Sequence, residues 1–171
     1  ASNALDRVDA QMLRSLARIR ATNSGASGHA QTNLANSVSR MSRLFRSMPE
    51  TAAKTLDVQI DDTITIPMDV QDIEEVLGNM MENAFHWCQT TVRVSATTSH
   101  GDVLLKVEDD GPGIPESSRR EALRSGGRLD TSSPGTGLGM AIAADLIQAY
   151  GGTFELDHSK SLNGLCISIA V

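Results

Sequence analysis

The chain has 171 residues, of which 40% are hydrophobic and only 3% aromatic, and its net charge is −6. That length favours one domain with an appendage, with a core of aliphatic and methionine side chains. The negative balance argues against a general nucleic-acid binder, and no apolar run approaches the ~20 residues that span a bilayer.

The opening Ala1-Ser2-Asn3 resembles a cloning scar and is set aside, and no secretory leader is seen. Leu5, Val8, Met12, Leu16 and Ile19 recur at steps of three and four, which predicts a helix of bundle or coiled-coil type. A small polar linker follows, and then Leu34, Val38, Met41, Phe45 and Met48 predict a second helix, stopped by Pro49. Residues 55–60 and 63–66 alternate like two strands joined by a turn at Asp61 and Asp62. Asp69 is placed to N-cap a helix over 70–87. Its buried face would be Ile73, Val76, Leu77, Met80, Met81 and Ala84.

Residues 91–99 and 102–109 predict a hairpin turning at His100, Gly101 and Asp102. Residues 111–136 are rich in Gly, Ser and Arg, show no period and read as a long loop, either functional or disordered. A helix over 138–150 ends at Gly151-Gly152. Two strands around a turn at Lys160 to Asn163 close the chain. Cys88 and Cys166 lack metal-ligand spacing and read as buried free thiols. This order of elements predicts an α/β fold, a two-layer sandwich with helices on one face of a mixed sheet.

Three local patterns carry chemistry. Asn79 and Asn83 stand at i, i+4 and share a helix face. Their carbonyl oxygens suit magnesium, although two surface amides would look the same. In Val107 to Pro115, VEDDGPGIP, Asp109-x-Gly111-x-Gly113 puts a carboxylate at a strand end beside bare backbone. Such a carboxylate can accept from an exocyclic amine, and glycine allows close approach and positive φ. An ordinary acidic turn has the same composition. Gly135-Thr136-Gly137-Leu138-Gly139 runs into a helix, where free amides and the helix dipole form a cradle for phosphate. Its spacing is not the dinucleotide fingerprint.

In this order along the chain, the three resemble the N, G1 and G2 boxes of sensor histidine kinases: GNMMENA, VEDDGPGIP and SPGTGLGMAIA. The likeness covers about residues 32–171. That family shares its ATP-binding fold, the Bergerat type, with DNA gyrase, MutL and the heat-shock chaperone ATPases. The resemblance implies ATP and Mg2+ as cofactors. It implies nucleotide contacts at Asn79, Asn83, His86, Trp87, Asp109, Gly111, Gly113, Ile114, Gly135, Thr136, Gly137, Leu138 and Gly139. Asn83 would hold the metal, and Asn79, His86 and Arg128 would serve phosphoryl transfer.

Asp109 would accept from the adenine amine, Glu108 would face solvent across the strand, and Asp110 would serve the turn. Hydrolysing relatives carry a Glu where this chain has Asn79, which favours transfer to histidine over attack by water. Glu75 and Glu82 would be solvated surface charges.

The chain also departs from the pattern. His86 stands where the family commonly has Lys or Arg, and Trp87 where Tyr is common. The usual lid Phe is missing, with Leu123 the nearest apolar residue, and Ser133 replaces a second lid Arg. Arg119, Arg120 and Arg124 read as a solvated lid in preference to phosphate contacts. None of His29, His86, His100 and His158 has the context of a phosphoacceptor. The reading is therefore a fragment. Residues 4–24 would be the end of a dimerisation helix, 25–31 a linker and 32–171 the kinase domain. The implied partners are the histidine-bearing dimerisation domain of a homodimer and a response regulator. Nucleic acid is not expected. The setting would be the cytoplasmic side of a bacterial inner-membrane receptor. The alternative is a nucleotide-binding regulatory or scaffold module without efficient transfer.

Overall fold

The computed structural model describes residues 30–123 and 139–171, so the expected dimerisation helix lies outside the described residues. Strand β1 (Thr32–Asn33) leads directly into helix α1 (Leu34–Arg46). Asn33 caps that helix by accepting from the Asn36 amide at 2.9 Å. A 3-10 turn at Pro49–Thr51 precedes β2 (Thr55–Gln59) and β3 (Thr65–Ile66). Helix α2 (Val70–Trp87) begins where Asp69 accepts from the Gln71 amide at 3.0 Å. Then come β4 (Thr91–Ser99), β5 (Asp102–Asp109), α3 (Glu116–Ala122), α4 (Gly139–Ala149), β6 (Thr153–His158) and β7 (Leu165–Ala170).

The main sheet runs β2-β4-β5-β7-β6, and it is mixed because β2 lies parallel to β4 while the other pairs are antiparallel. The two-residue run β3 does not form a hairpin with β2. Instead it pairs with β1 in a separate small sheet, Thr32 opposite Ile66. The reason is local. Asp61 accepts from the Thr63 amide at 2.8 Å, and Asn33 Nδ2 donates to the Asp62 carbonyl at 2.7 Å, which turns the chain away from β2.

The hairpin of β4 and β5 forms as expected, with His100 and Gly101 at φ 54 and 97 in its turn. The expected loop over 111–136 contains α3, which periodicity missed because seven residues are too few to show a stripe.

Val92, Val94, Val103, Leu105 and Val107 point from β4 and β5 into the core. Ile73, Val76, Leu77, Met80, Met81 and Ala84, all 0% exposed, meet them from α2. At about 25 cal/mol per Å2 of apolar surface, each such large side chain contributes roughly 1.5–3 kcal/mol. Phe45 of α1 stacks on Phe85 of α2 with centroids 5.1 Å apart. Cys88 and Cys166 are free and buried, and burial pushes the Cys166 thiol up to about 11.

Helices α2 and α4 pack antiparallel. The Tyr150 hydroxyl, just past α4, donates to Asp72 Oδ2 at 2.6 Å and accepts from the Asp69 amide at 3.3 Å. At the other end Gly139 abuts Asn79. No helix among the described residues is long and apolar enough to cross a membrane.

Candidate functional site

Asn79 of α2 faces the start of α4, and Asn83 stands one turn further along the same helix face. Asn79 Nδ2 donates to the carbonyl of Glu75 at 2.9 Å, which turns its Oδ1 toward Gly139. A Cβ at Gly139 would lie 2.7 Å from that oxygen, so only glycine lets α4 begin this close to α2. The structure thus joins the first and third sequence patterns through one contact. Asn83 Nδ2 is buried and has no hydrogen-bond partner among the described residues. A buried amide hydrogen left unpaired costs about 1–3 kcal/mol. Glu82 is exposed as expected. Glu75 is not a solvated charge: it is half-buried and engaged.

Strand β5 ends at Asp109, and the loop after it passes against the C-terminal end of α2 at the Trp87 carbonyl. Asp109 is 1% exposed, and its Oδ1 accepts from the amides of Gly111 at 2.8 Å and Leu165 at 3.3 Å. Among the described residues no bond falls on Oδ2. Burial raises the Asp109 pKa above its ordinary value, outweighing these two amides, and the neighbouring Asp110 charge adds to the rise.

Gly111 is required for space: a Cβ there would run into the Trp87 carbonyl and sit 2.9 Å from Asp109 Oδ1. Gly113 is required for conformation, with φ 70. Ile114 is half-buried against the core, and its carbonyl accepts from Arg119 Nε at 3.3 Å.

The other two acids have roles that sequence reading missed. Asp110 does not serve its own turn. It clamps the link from α2 to β4. Its Oδ1 accepts from the amides of Gln89, Thr90 and Thr91 at 2.8, 3.0 and 3.1 Å, and its Oδ2 from Thr90 Oγ1 at 2.6 Å. Burial raises its pKa, but the Thr90 hydroxyl and the three amides win and hold it at about 2. Glu108 is not solvated either: its Oε1 accepts from Ser159 Oγ at 2.7 Å and Ser161 Oγ at 3.0 Å in the β6–β7 turn. Both were obscured because each partner is distant in sequence.

His86 and Trp87 are exposed at the C-terminal end of α2, the imidazole edge-on to the indole with centroids 4.8 Å apart. Lys54 Nζ donates to the Phe85 carbonyl, which puts a cation at that helix end. Arg119 departs from both readings given to it. It pairs with Asp157 of β6 at 2.9 Å and so ties α3 to the sheet edge. Arg120 is exposed. Arg124, Arg128, Ser133, Gly135, Thr136, Gly137 and Leu138 lie outside the described residues. The described residues contain no group of three His, Cys, Asp or Glu able to hold a metal.

The arrangement is that of a mixed-sheet α/β sandwich in which α2 meets the start of α4 at Asn79 and the loop after β5 at Trp87. Comparison with known proteins gives the family. The model of the histidine kinase-, DNA gyrase B- and HSP90-like ATPases matches residues 68–171, and the chain belongs to that family. Membership implies ATP binding.

The two-component sensor PhoQ of Pseudomonas aeruginosa is 43% identical over 107 residues, 63% of this chain and 24% of that protein. The sensor protein kinase CarS of the same organism is 42% identical over 106 residues, 62% of this chain and 24% of that protein. The chain therefore spans about a quarter of the length of these curated relatives. Among solved structures, the mycobacterial sensor histidine kinase MprB superposes with a TM-score of 0.73 at 23% identity, covering 84% of this chain and 96% of that one. The catalytic domain of histidine kinase ThkA gives 0.73 at 20%, covering 84% and 94%. At those identities the structural likeness speaks to the fold, which is the expected two-layer sandwich.

Proposed function

We propose that this chain is the ATP-binding catalytic part of a PhoQ-like two-component sensor histidine kinase. It would transfer the γ-phosphate of ATP to a histidine on a dimerisation domain, with a response regulator next in line and a membrane receptor as the whole protein. The observation that carries the reading is Asp109: a buried carboxylate with one oxygen fixed by backbone amides and the other free of described partners. That geometry suits acceptance of the adenine amine by Oδ2. Asn83 would offer its Oδ1 to Mg2+, and its Nδ2, without a partner among the described residues, would be left to donate to a nucleotide oxygen. When bound, that ion would neutralise developing phosphate charge.

The chain's own contribution is positioning. Asn79 fixes the start of α4, and the glycines Gly135, Gly137 and Gly139 would leave amides open to phosphate. Leu138, Thr136, Ile114, Trp87, His86 and Arg128 complete the proposed contacts. In the transfer, a ring nitrogen of the acceptor histidine bonds to the γ-phosphorus. The bond from that phosphorus to the β–γ bridging oxygen breaks, and ADP leaves. No carboxylate stands at Asn79 to activate water instead.

The exposed imidazole of His86, in place of a permanently charged side chain, favours a second reading: nucleotide binding without efficient transfer. Incubation with γ-labelled ATP and a supplied PhoQ-type dimerisation domain separates the two. We expect acid-labile, alkali-stable label on the supplied domain and none on this chain alone. Nucleotide binding with no label on the supplied domain would establish the second reading.

A further inference from the structure

The turn between β6 and β7 grips the end of β5 from both sides. On one side Ser159 and Ser161 donate to Glu108 Oε1 at 2.7 and 3.0 Å. Ser159 is 1% exposed. The turn is closed on itself by Ser159 N to the Gly164 carbonyl at 2.9 Å and by Asn163 N to the Ser159 carbonyl at 2.9 Å, with Asn163 at φ 67.

On the other side Gly164 lies against Asp109. A Cβ at Gly164 would run into the Asp109 carbonyl and fall 2.5 Å from Asp109 Oδ1 and 2.6 Å from the Gly111 amide. Gly113 approaches the same glycine, 3.4 Å from its carbonyl when given a Cβ. Gly164 has no positive φ, so its backbone would accept an alanine and only the space forbids it. The next residue, Leu165, supplies the second amide to Asp109 Oδ1 at 3.3 Å.

We infer that Gly164, held in place by the Glu108–Ser159–Ser161 latch, is a specificity-determining positioning residue. It fixes the rotamer of Asp109 so that Oδ2 faces the base, and thereby sets the preference of the site for a 6-aminopurine over a 6-oxopurine. A 6-oxo group offers that carboxylate an acceptor instead of a donor. The inference rests on the proposed role of Asp109.

Calorimetric titration of ATP and ITP measures the preference as a ratio of affinities. Gly164→Ala lowers the ratio by roughly five- to tenfold, the size of one lost hydrogen bond. It adds nothing in an Asp109→Asn background, because both act on the same contact. General loosening would instead weaken ATP and ITP together and leave the ratio alone, which overturns the inference. Where Gly164→Ala does not fold, Ser159→Ala releases one arm of the latch and lowers the ratio by a smaller factor. An unchanged ratio there overturns the inference equally. Asp109→Asn distinguishes the two levels. If it leaves the ratio intact, the base-reading role of Asp109 falls. If it collapses the ratio while Gly164→Ala does not, only the role of Gly164 falls.

Discussion

Asp109 holds its charge in a place that disfavours it. Burial raises its pKa above the ordinary 3.8 against the pull of two amides. A raised folded-state pKa means that the stabilising contribution is complete below the ordinary value and is lost as pH rises through the raised one. At neutral pH the ionised carboxylate therefore opposes folding. An asparagine would keep an oxygen for the Gly111 and Leu165 amides without that burden. Asp109→Asn is expected to melt no lower than the parent at pH 7, and its advantage should shrink as pH falls toward 4. ATP affinity should nevertheless drop by on the order of 1–3 kcal/mol. Thermal melts across pH, run beside calorimetry, check both halves, and a clearly less stable variant at pH 7 would contradict the account.

The same residue was legible in sequence because its chemistry is local, with Asp, two glycines and a strand end within five positions. Its neighbours Glu108 and Asp110 were not. Their partners Ser159, Ser161 and Thr90 lie 51, 53 and 20 positions away, and only the folded chain brings them near.

Among the elements, α2 and α4 frame the site, and their alignment is set at both ends. Asn79 against Gly139 forms one end, and Tyr150 with Asp72 and Asp69 forms the other. Burial, and then the hydrogen bond to Asp72, push the Tyr150 hydroxyl up to about 12, so it remains a donor throughout the physiological range. Asp72 is 1% exposed and Tyr150 is one of its partners, so losing this bond to a buried carboxylate is costly. Tyr150→Phe should destabilise by about 1–3 kcal/mol. At roughly 2–4 °C per kcal/mol for a chain of this size, the melting temperature falls by about 2–12 °C. Differential scanning calorimetry measures it, and an unchanged transition would remove Tyr150 from the helix alignment.

Helix α2 itself was readable to the residue, from Asp69 as cap to Trp87, because 18 residues carry a full apolar stripe and a capping oxygen. Strands β2 and β3 were each recognised, but their pairing was not, since alternation marks a strand without naming its neighbour. Helix α3 escaped for want of length.

For the molecule as a whole, ligand binding and folding are linked. Asn83 Nδ2 has no partner among the described residues and the Asp109 carboxylate is buried with a raised pKa, so each carries a cost that a nucleotide offering an acceptor to one and a donor to the other would relieve. Mg-ATP at a hundred times its Kd should therefore add about 2.7 kcal/mol of stability. At roughly 2–4 °C per kcal/mol, that raises the melting temperature by about 5–11 °C. An Asn83→Ala variant should lose most of the part that depends on magnesium. Melts with ATP alone, with magnesium alone and with both provide the check. Equal shifts with and without magnesium would take Asn83 out of the metal site.

By itself the sequence determined most of the scaffold. The helix of residues 70–87 and the hairpin at His100-Gly101 rest on periodicity, caps and turn residues, and the three boxes on short motifs that resemble a known family, all signals that act within a few positions. Tertiary structure alone decided what meets what: β3 with β1, Asp110 with the link after α2, Tyr150 with Asp72, and Gly164 with Asp109. The physical reason is range. Hydrogen bonds and excluded volume act over a few ångströms, and distance in space is independent of distance along the chain once the sheet has formed.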